Sequence, residues 1–470
     1  MTPAQTESWV EQYWEREVLP TLQDYVRIPN VSAAFDADWK AHGHMDRAVE
    51  LIRQWCAARP LPGLTVEVHE LEGRTPVIVM ELPAPSDRGA QDTVLLYGHL
   101  DKQPEMTGWT TGPWEPVLAD GRLYGRGCAD DGYAVFASLG ALELVRTSGR
   151  EHTRAVVIIE ASEESGSPDL PAHVEALAAR IGSPSLVICL DSGALDYDHL
   201  WLTTSLRGLI GCTVRVDVLT EGVHSGMASG VVPSSFRILR TLLDRLEDSE
   251  TGRVLLPALH AAIPAASLAA ARDTAATMPH PYAADLPLIA RPMVEDPAGQ
   301  LIAHTWEPTL SVTAADGWPS TDRAGNVLRP YTALRLSFRL PPTVDAAAAQ
   351  AAVERAVTVD VPYDARVTLS GIEAADGWCA PALAPWLSQA LEDASTAAWG
   401  QGLRTFGEGG SIPFMGMLSA QFPAAQLVVT GVLGPGANAH GPNEFLDLRT
   451  ARRLTRAIAD VLAAHAARAA

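Results

Sequence analysis

Three short apolar runs along the chain each give way to acids or a histidine. Residues 93–97 read as a buried strand that ends at Gly98 and is followed by His99 and Asp101. Residues 155–160 (AVVIIE) are followed by Glu163 and Glu164, and residues 185–190 (SLVICL) by Asp191. Uninterrupted apolar runs of this length are the pattern of strands buried on both faces. Between and around them, residues 7–27 (interrupted by Pro20), 45–58 and 133–147 carry the amphipathic or apolar spacing of helices. Strands alternating with helices predict an α/β domain with a mixed, mostly parallel sheet. Sites in such sheets form outside the carboxyl ends of the strands. His99, Glu163, Glu164 and Asp191 are therefore expected along one edge.

The pattern changes near Gly208. Cys212, Val214, Val216 and Val218 alternate with polar residues, as in a strand with one buried face. A helix over 234–246, strands over 309–313 and around Leu334, Leu336, Phe338 and Leu340, a helix over 344–357 and a strand over 365–369 follow. That order, βαββαβ, is the ferredoxin-like split unit. The Ala- and Pro-rich segment 249–307 interrupts it, and its pattern assigns no structure. Near 376–381 the chain returns to its first style, with a helix over 381–399, a Gly-rich loop at 407–411, a strand over 426–430 and a last helix from Leu448. The expected organisation is a domain of residues 1–208 and 377–470 interrupted by a second domain of residues 209–376.

Composition narrows the partners. A chain of 470 residues exceeds one hydrophobic core, which agrees with two domains. The net charge of −21, with Lys40 and Lys102 the only lysines, argues against nucleic acid and anionic membrane as partners. Five scattered cysteines without a C-x-x-C pair fit reduced thiols and a cytoplasmic protein. The first twenty residues are acidic and amphipathic, unlike a secretory leader, and no apolar run reaches the roughly 18 residues of a membrane span.

The chemistry centres on residues 95–131. About thirty residues after His99, the turn Gly125-Arg126-Gly127 delivers Asp130 and Asp131 side by side. Adjacent carboxylates raise each other's pKa unless a cation lies against them. Histidine and carboxylates without cysteine suit a hydrolytic zinc site better than a structural one. Each motif alone is ordinary. Together H-x-D, G-R-G-x-x-D-D, E-E-S-G and L-D-S-G occur in order, three of them at strand ends.

With the late GANAHGPNEF segment around His440, these motifs resemble the M20 family of dinuclear zinc peptidases, particularly its carnosinase-like and cytosolic non-specific dipeptidase branch. The resemblance implies a catalytic domain with helices on both faces of its sheet and an inserted lid that also forms a homodimer. It implies two Zn2+ ions, with Mn2+ or Co2+ as substitutes. Asp130 would bridge them, His99 with Asp191 holding one and His440 with Glu164 the other. Glu163 would be the general base, and Asp101 would stand behind His99 and orient it through its other ring nitrogen. His224, in EGVHSG, would reach across the dimer to the tetrahedral oxyanion. Arg207, Asn326, Arg339 and Ser411 would hold the substrate, and a non-proline cis bond often joins the two aspartates in this family.

Two positions depart from the pattern: Gly132 replaces the usual lysine after the double aspartate, and Gly407 the usual arginine before E-G-G-S. Losing that arginine weakens the expectation of a standard dipeptide-carboxylate preference. The expected activity is hydrolysis of dipeptides or similar small peptides. Alternatives are an N-acyl amino acid deacylase or carboxypeptidase with the same metal site and, more remotely, a non-catalytic peptide carrier. A carrier has no need of a free carboxylate such as Glu163 beside a complete ligand set.

Overall fold

The computed structural model describes every residue except Arg88, Pro279, Ser411, Ile412, Ala469 and Ala470. The chain divides into two units. One comprises Met1–Thr204, Ala380–Phe406 and Met417–Ala470; the other comprises Ser205–Cys379 and Gly407–Gly416.

The first unit is built on a six-stranded sheet in the order Thr65–His69, Val77–Leu82, Arg154–Glu160, Thr93–His99, Leu186–Cys189, Gln426–Val429. The last four strands run parallel, and the first two pair antiparallel. The sheet is thus mixed, with its parallel half at the strands that carry the acids and histidine. Every residue of Thr93–His99 is buried, as its unbroken apolar run predicts. The helix Ala134–Thr147 packs on Thr93–His99 and Arg154–Glu160, and the C-terminal helix Leu448–Arg468 covers it in turn. Being covered on both sides, Ala134–Thr147 is apolar nearly all round. A small antiparallel sheet joins Val117–Ala119, Arg122–Tyr124 and Phe445–Asp447, fastening the late His440 segment to the turn that carries Asp130. At the N-terminus a π-turn, Trp14–Val18, leads from Pro3–Tyr13 into Leu19–Val26. Pro20 therefore lies in a first helical turn, where its missing N–H costs nothing. Lys102, wholly buried, donates Nζ to the carbonyls of Tyr25 (2.8 Å) and Ile28 (2.7 Å) and caps that helix's end.

The second unit has a four-stranded antiparallel sheet in the order Thr309–Asp316, Tyr331–Leu340, Gly208–Asp217, Arg366–Ala375. Helices Ser235–Leu243 and Ala346–Thr358 bury Ile210, Cys212, Val214 and Val216 together with Leu336, Phe338 and Leu340. The alternation read from the sequence is this buried face. Segment 249–307, whose sequence pattern assigns no structure, contains the α-helices Ala265–Thr277 and Pro297–Thr305, which pack on each other, and the short 3-10 turns Pro257–Leu259 and Tyr282–Asp285. No described helix is long and apolar enough to cross a membrane.

Candidate metal centre

Parallel pairing sets His99 opposite Glu160, at the carboxyl ends of adjacent strands. Glu163 and Glu164 lie in the short turn Glu163–Ser165 just beyond, and Asp191 lies two residues past Cys189. The fourth contribution comes from the turn at 125–131, which Gly132 closes by donating its N–H to the Gly127 carbonyl at 3.0 Å. The Asp130–Asp131 peptide bond is cis. Gly132 is packed shut: a Cβ there would lie 2.4 Å from the Gly127 oxygen and from a Tyr25 ring carbon. A lysine at this position has no room.

Asp130 stands between two imidazoles. Its Oδ1 is 3.2 Å from His99 Nε2 and its Oδ2 is 3.1 Å from His440 Nε2. Each histidine faces a further carboxylate: Asp191 Oδ1 lies 3.8 Å from His99 Nε2, and Glu164 Oε2 lies 3.2 Å from His440 Nε2. Glu163 Oε2 is at 4.0 Å from His99 Nε2. His99 Nδ1 lies 3.1 Å from the main-chain carbonyl of Asp101, which fixes a tautomer with Nε2 directed at the carboxylates. The Asp101 side chain is 3.5 Å from Nδ1 and has other partners: Oδ1 accepts from the Glu163 N–H (3.1 Å) and Oδ2 from the Glu164 N–H (3.0 Å). Asp101 therefore holds the Glu163–Glu164 turn as well as His99.

The electrostatics are those of anions crowded out of water. Burial, then the charge of Asp191, pushes the carboxyls of Asp131 and Glu163 well above the usual range. Burial and Asp130 lift Glu164 to about 7. For His440, burial acts downward, but Asp130 and Glu164 outweigh it and raise the imidazole. Asp131 Oδ1 is buried and has no hydrogen-bond partner among the described residues. Among the described residues, two sets of side chains bring their ligand atoms within 4.8 Å of one another: His99 with Asp131 and Asp191, and His99 with Asp130 and Glu164. Two imidazoles and several buried, mutually repelling carboxylates are a donor set that fits hard or borderline divalent cations.

A profile of peptidase family M20/M25/M40 matches residues 95–464. The chain belongs to this family. It is thereby a hydrolase, a metallopeptidase of the M20 group. A cysteinylglycine-S-conjugate dipeptidase of Corynebacterium striatum is 29% identical over 374 residues, covering 76% of this chain and 78% of that protein. The β-Ala-His dipeptidase of Mus musculus is 28% identical over 297 residues, 60% of this chain and 57% of that protein. Among solved structures, the dipeptidase Dug1p of Saccharomyces cerevisiae superposes with a TM-score of 0.80 at 21% identity, covering 99% of both chains. That likeness is one of fold.

The remaining predicted residues of this M20 peptidase lie in its second unit. Arg207, expected to hold the substrate, is buried; its Nε donates to the Gly409 carbonyl at 3.0 Å. Burial and the nearby Arg339 cation lower its guanidinium to about 10. Arg339 is half-buried on Tyr331–Leu340. His224 and Asn326 are exposed, at neighbouring positions of a two-stranded ribbon where His224 pairs with Val327. His224 Nδ1 accepts from the Gly226 N–H at 3.1 Å. Ser411 lies outside the described residues. Gly407 is crowded, since a Cβ there would lie 2.6 Å from Ser205 Oγ and 3.1 Å from Thr305. Helix Pro297–Thr305 thus ends where the family's arginine would emerge.

Three residues of the site escaped the sequence reading. Asp131 had only its place beside Asp130 to mark it. Gln103, which donates Nε2 to Glu164 at 2.5 Å, follows the H-x-D motif in an ordinary polar loop. Glu444, wholly buried among backbone donors of the Asp130 turn, sits four residues after His440. That spacing was its one signal.

Proposed function

We propose that this chain cleaves the amide bond of dipeptides or similar small peptides at a site holding two divalent cations. The observation that carries this reading is Asp130, whose two oxygens face different histidines, each with its own further carboxylate. His99 with Asp191 would hold one ion, His440 with Glu164 the other, and Asp130 both. Zinc suits the mixed nitrogen and oxygen donors; manganese or cobalt would also fit. Divalent cations held there would supply a lowered pKa for water and polarisation of the scissile carbonyl. Glu163 takes the proton from the attacking water and delivers it to the leaving amine. Asp101 keeps the Glu163–Glu164 backbone in place, and Tyr97, Ser162 and Ser167 hold Glu160 beneath it.

We assign residues 1–208 and 377–470 to catalysis and 209–376 to a ferredoxin-like lid that pairs two subunits. The antiparallel order of its four strands supports this. His224 would donate to the developing oxyanion of the partner subunit's site, while Arg207, Asn326, Arg339 and Ser411 would hold the substrate's tail. Five free thiols, four of them buried, accord with the cytoplasm. The names of the two curated relatives favour dipeptides as substrates, and the crowding at Gly407 leaves the substrate's carboxylate to groups other than an arginine at that position.

Metal analysis of two purified variants tests the reading. Asp130→Ala should lose both ions together, and Glu163→Gln should retain both while turnover falls by about 10²–10⁴-fold. A fully loaded Asp130→Ala protein would defeat the bridging role. Rates on a panel of dipeptides and N-acyl amino acids decide between the two substrate classes.

A further inference from the structure

Beneath the metal-facing residues lies a buried ion pair without a role in the reaction just described. Glu444 is fully buried and Arg126 is 1% exposed. All acceptor directions of the Glu444 carboxylate are taken. Oε2 accepts from Arg126 Nη1 and the Gly127 N–H, both at 2.9 Å. Oε1 accepts from the N–H groups of Ala129 (3.0 Å) and Asp130 (3.2 Å). The Asp130-bearing turn is therefore wrapped around one carboxylate from the other end of the chain. Arg126 completes the link in the opposite direction, donating Nη2 to the carbonyl of Gly441, the residue after His440, at 2.9 Å.

We propose that Arg126 and Glu444 form a single positioning unit that fixes the Asp130 carboxylate relative to His440 and so sets where the second cation is held. The inference rests on the two-cation reading above. His440 stands in a loop with left-handed backbone at Asn438, His440 and Asn443, outside any strand or helix. Asp130 also lies outside regular structure. Neither gets its place from a ladder of backbone bonds, and the pair supplies the tie between them. Glutamine cannot substitute for Glu444: its amide nitrogen brings N–H donors against the N–H groups of either Gly127 or Ala129 and Asp130. Lysine at 126 preserves the opposing charge but not the fork that reaches both Glu444 and the Gly441 carbonyl.

The test is a Zn2+ titration of the whole, chelator-stripped protein against a competing chromophoric chelator, with circular dichroism and thermal unfolding of the metal-free form alongside. The wild type should take up two equivalents. Glu444→Gln should weaken both by about 10–100-fold, the usual cost of removing a partner behind a ligand. Arg126→Lys should weaken chiefly one equivalent, and the double variant should lose no more than Glu444→Gln alone. A merely structural pair would lower the melting temperature of the metal-free protein and leave the affinity of the folded fraction unchanged. That result for Glu444→Gln overturns the proposal; should this variant not fold, wild-type affinity for both equivalents in Arg126→Lys overturns it. A wild type that binds no zinc instead defeats the two-cation reading itself, an outcome distinct from both.

Discussion

Asp101 offers a graded test of how the site is held. Its carboxylate is wholly buried and gives one oxygen to each of two successive backbone N–H groups, those of Glu163 and Glu164. Asp101→Asn keeps the shape but turns an N–H donor toward one of them. A hydrogen bond to a charged group contributes about 1.5–3 kcal/mol. If that free energy is what orders the Glu163–Glu164 turn, kcat/KM should fall about 10- to 150-fold. Asp101→Ala loses both bonds, and the fall should reach about 10²–10⁴-fold. His99 keeps one partner in both variants, because its Nδ1 lies against the main-chain carbonyl of Asp101, although the 3.5 Å contact with the carboxylate is lost. The assay is steady-state hydrolysis of the best dipeptide of the panel, with metal content measured on the same samples. Equal losses in the Asn and Ala variants, or an Asn variant within a few-fold of wild type, would refute the reasoning.

Three further outcomes are expected. Burial, opposed by Arg59 and reinforced by Glu17, lifts the Glu143 carboxyl from 4.5 to about 7. Folding therefore favours its neutral form, and the stability it contributes is present below pH 4.5 and lost as pH rises through 7. Relative to the wild type, Glu143→Gln should gain about 3 kcal/mol between pH 4 and pH 8 in urea unfolding, and a pH-independent difference would count against this. Gly132→Ala drives a Cβ into the Gly127 carbonyl and Tyr25 ring, so it should lower stability by about 1–3 kcal/mol and reduce metal content; unchanged melting would show that the turn can yield. Mixing His224→Ala with Glu163→Gln under conditions of subunit exchange should restore activity at one site of each mixed dimer, since only there do intact His224 and Glu163 meet. No recovery, with exchange verified by mass, would confine His224 to its own chain.

The strand-end residues were legible because buried parallel strands leave a strong signal. An apolar run has no reason to end in His99 or to be followed by Asp191 unless the sheet edge needs them. The ties behind these residues were not legible. Glu444 sits in a polar loop that reads as solvent-exposed, and only its pairing with a turn over three hundred residues away in sequence makes it a buried anion. The strands Val117–Ala119, Arg122–Tyr124 and Phe445–Asp447 have three residues each, too few to show a period. Helix Ala265–Thr277 was hidden for another reason: alanine dominates its whole circumference and leaves no apolar stripe. The crowding at Gly407 is likewise a property of Ser205 and Thr305, not of the motif in which the glycine stands.

Lys102, sealed beneath the helix Leu19–Val26, has a practical consequence for amine chemistry. The chain has one other lysine, the exposed Lys40. An amine-reactive ester added to the native protein should mark Lys40 and the α-amino group and leave Lys102 untouched, so that Lys40 is the one lysine handle for a dye or a surface. Acylation of Lys102 then requires that its bonds to the Tyr25 and Ile28 carbonyls open. Because one intact-mass peak separates each added label, the rate of that second lysine modification becomes a clock for the opening of this one helix end.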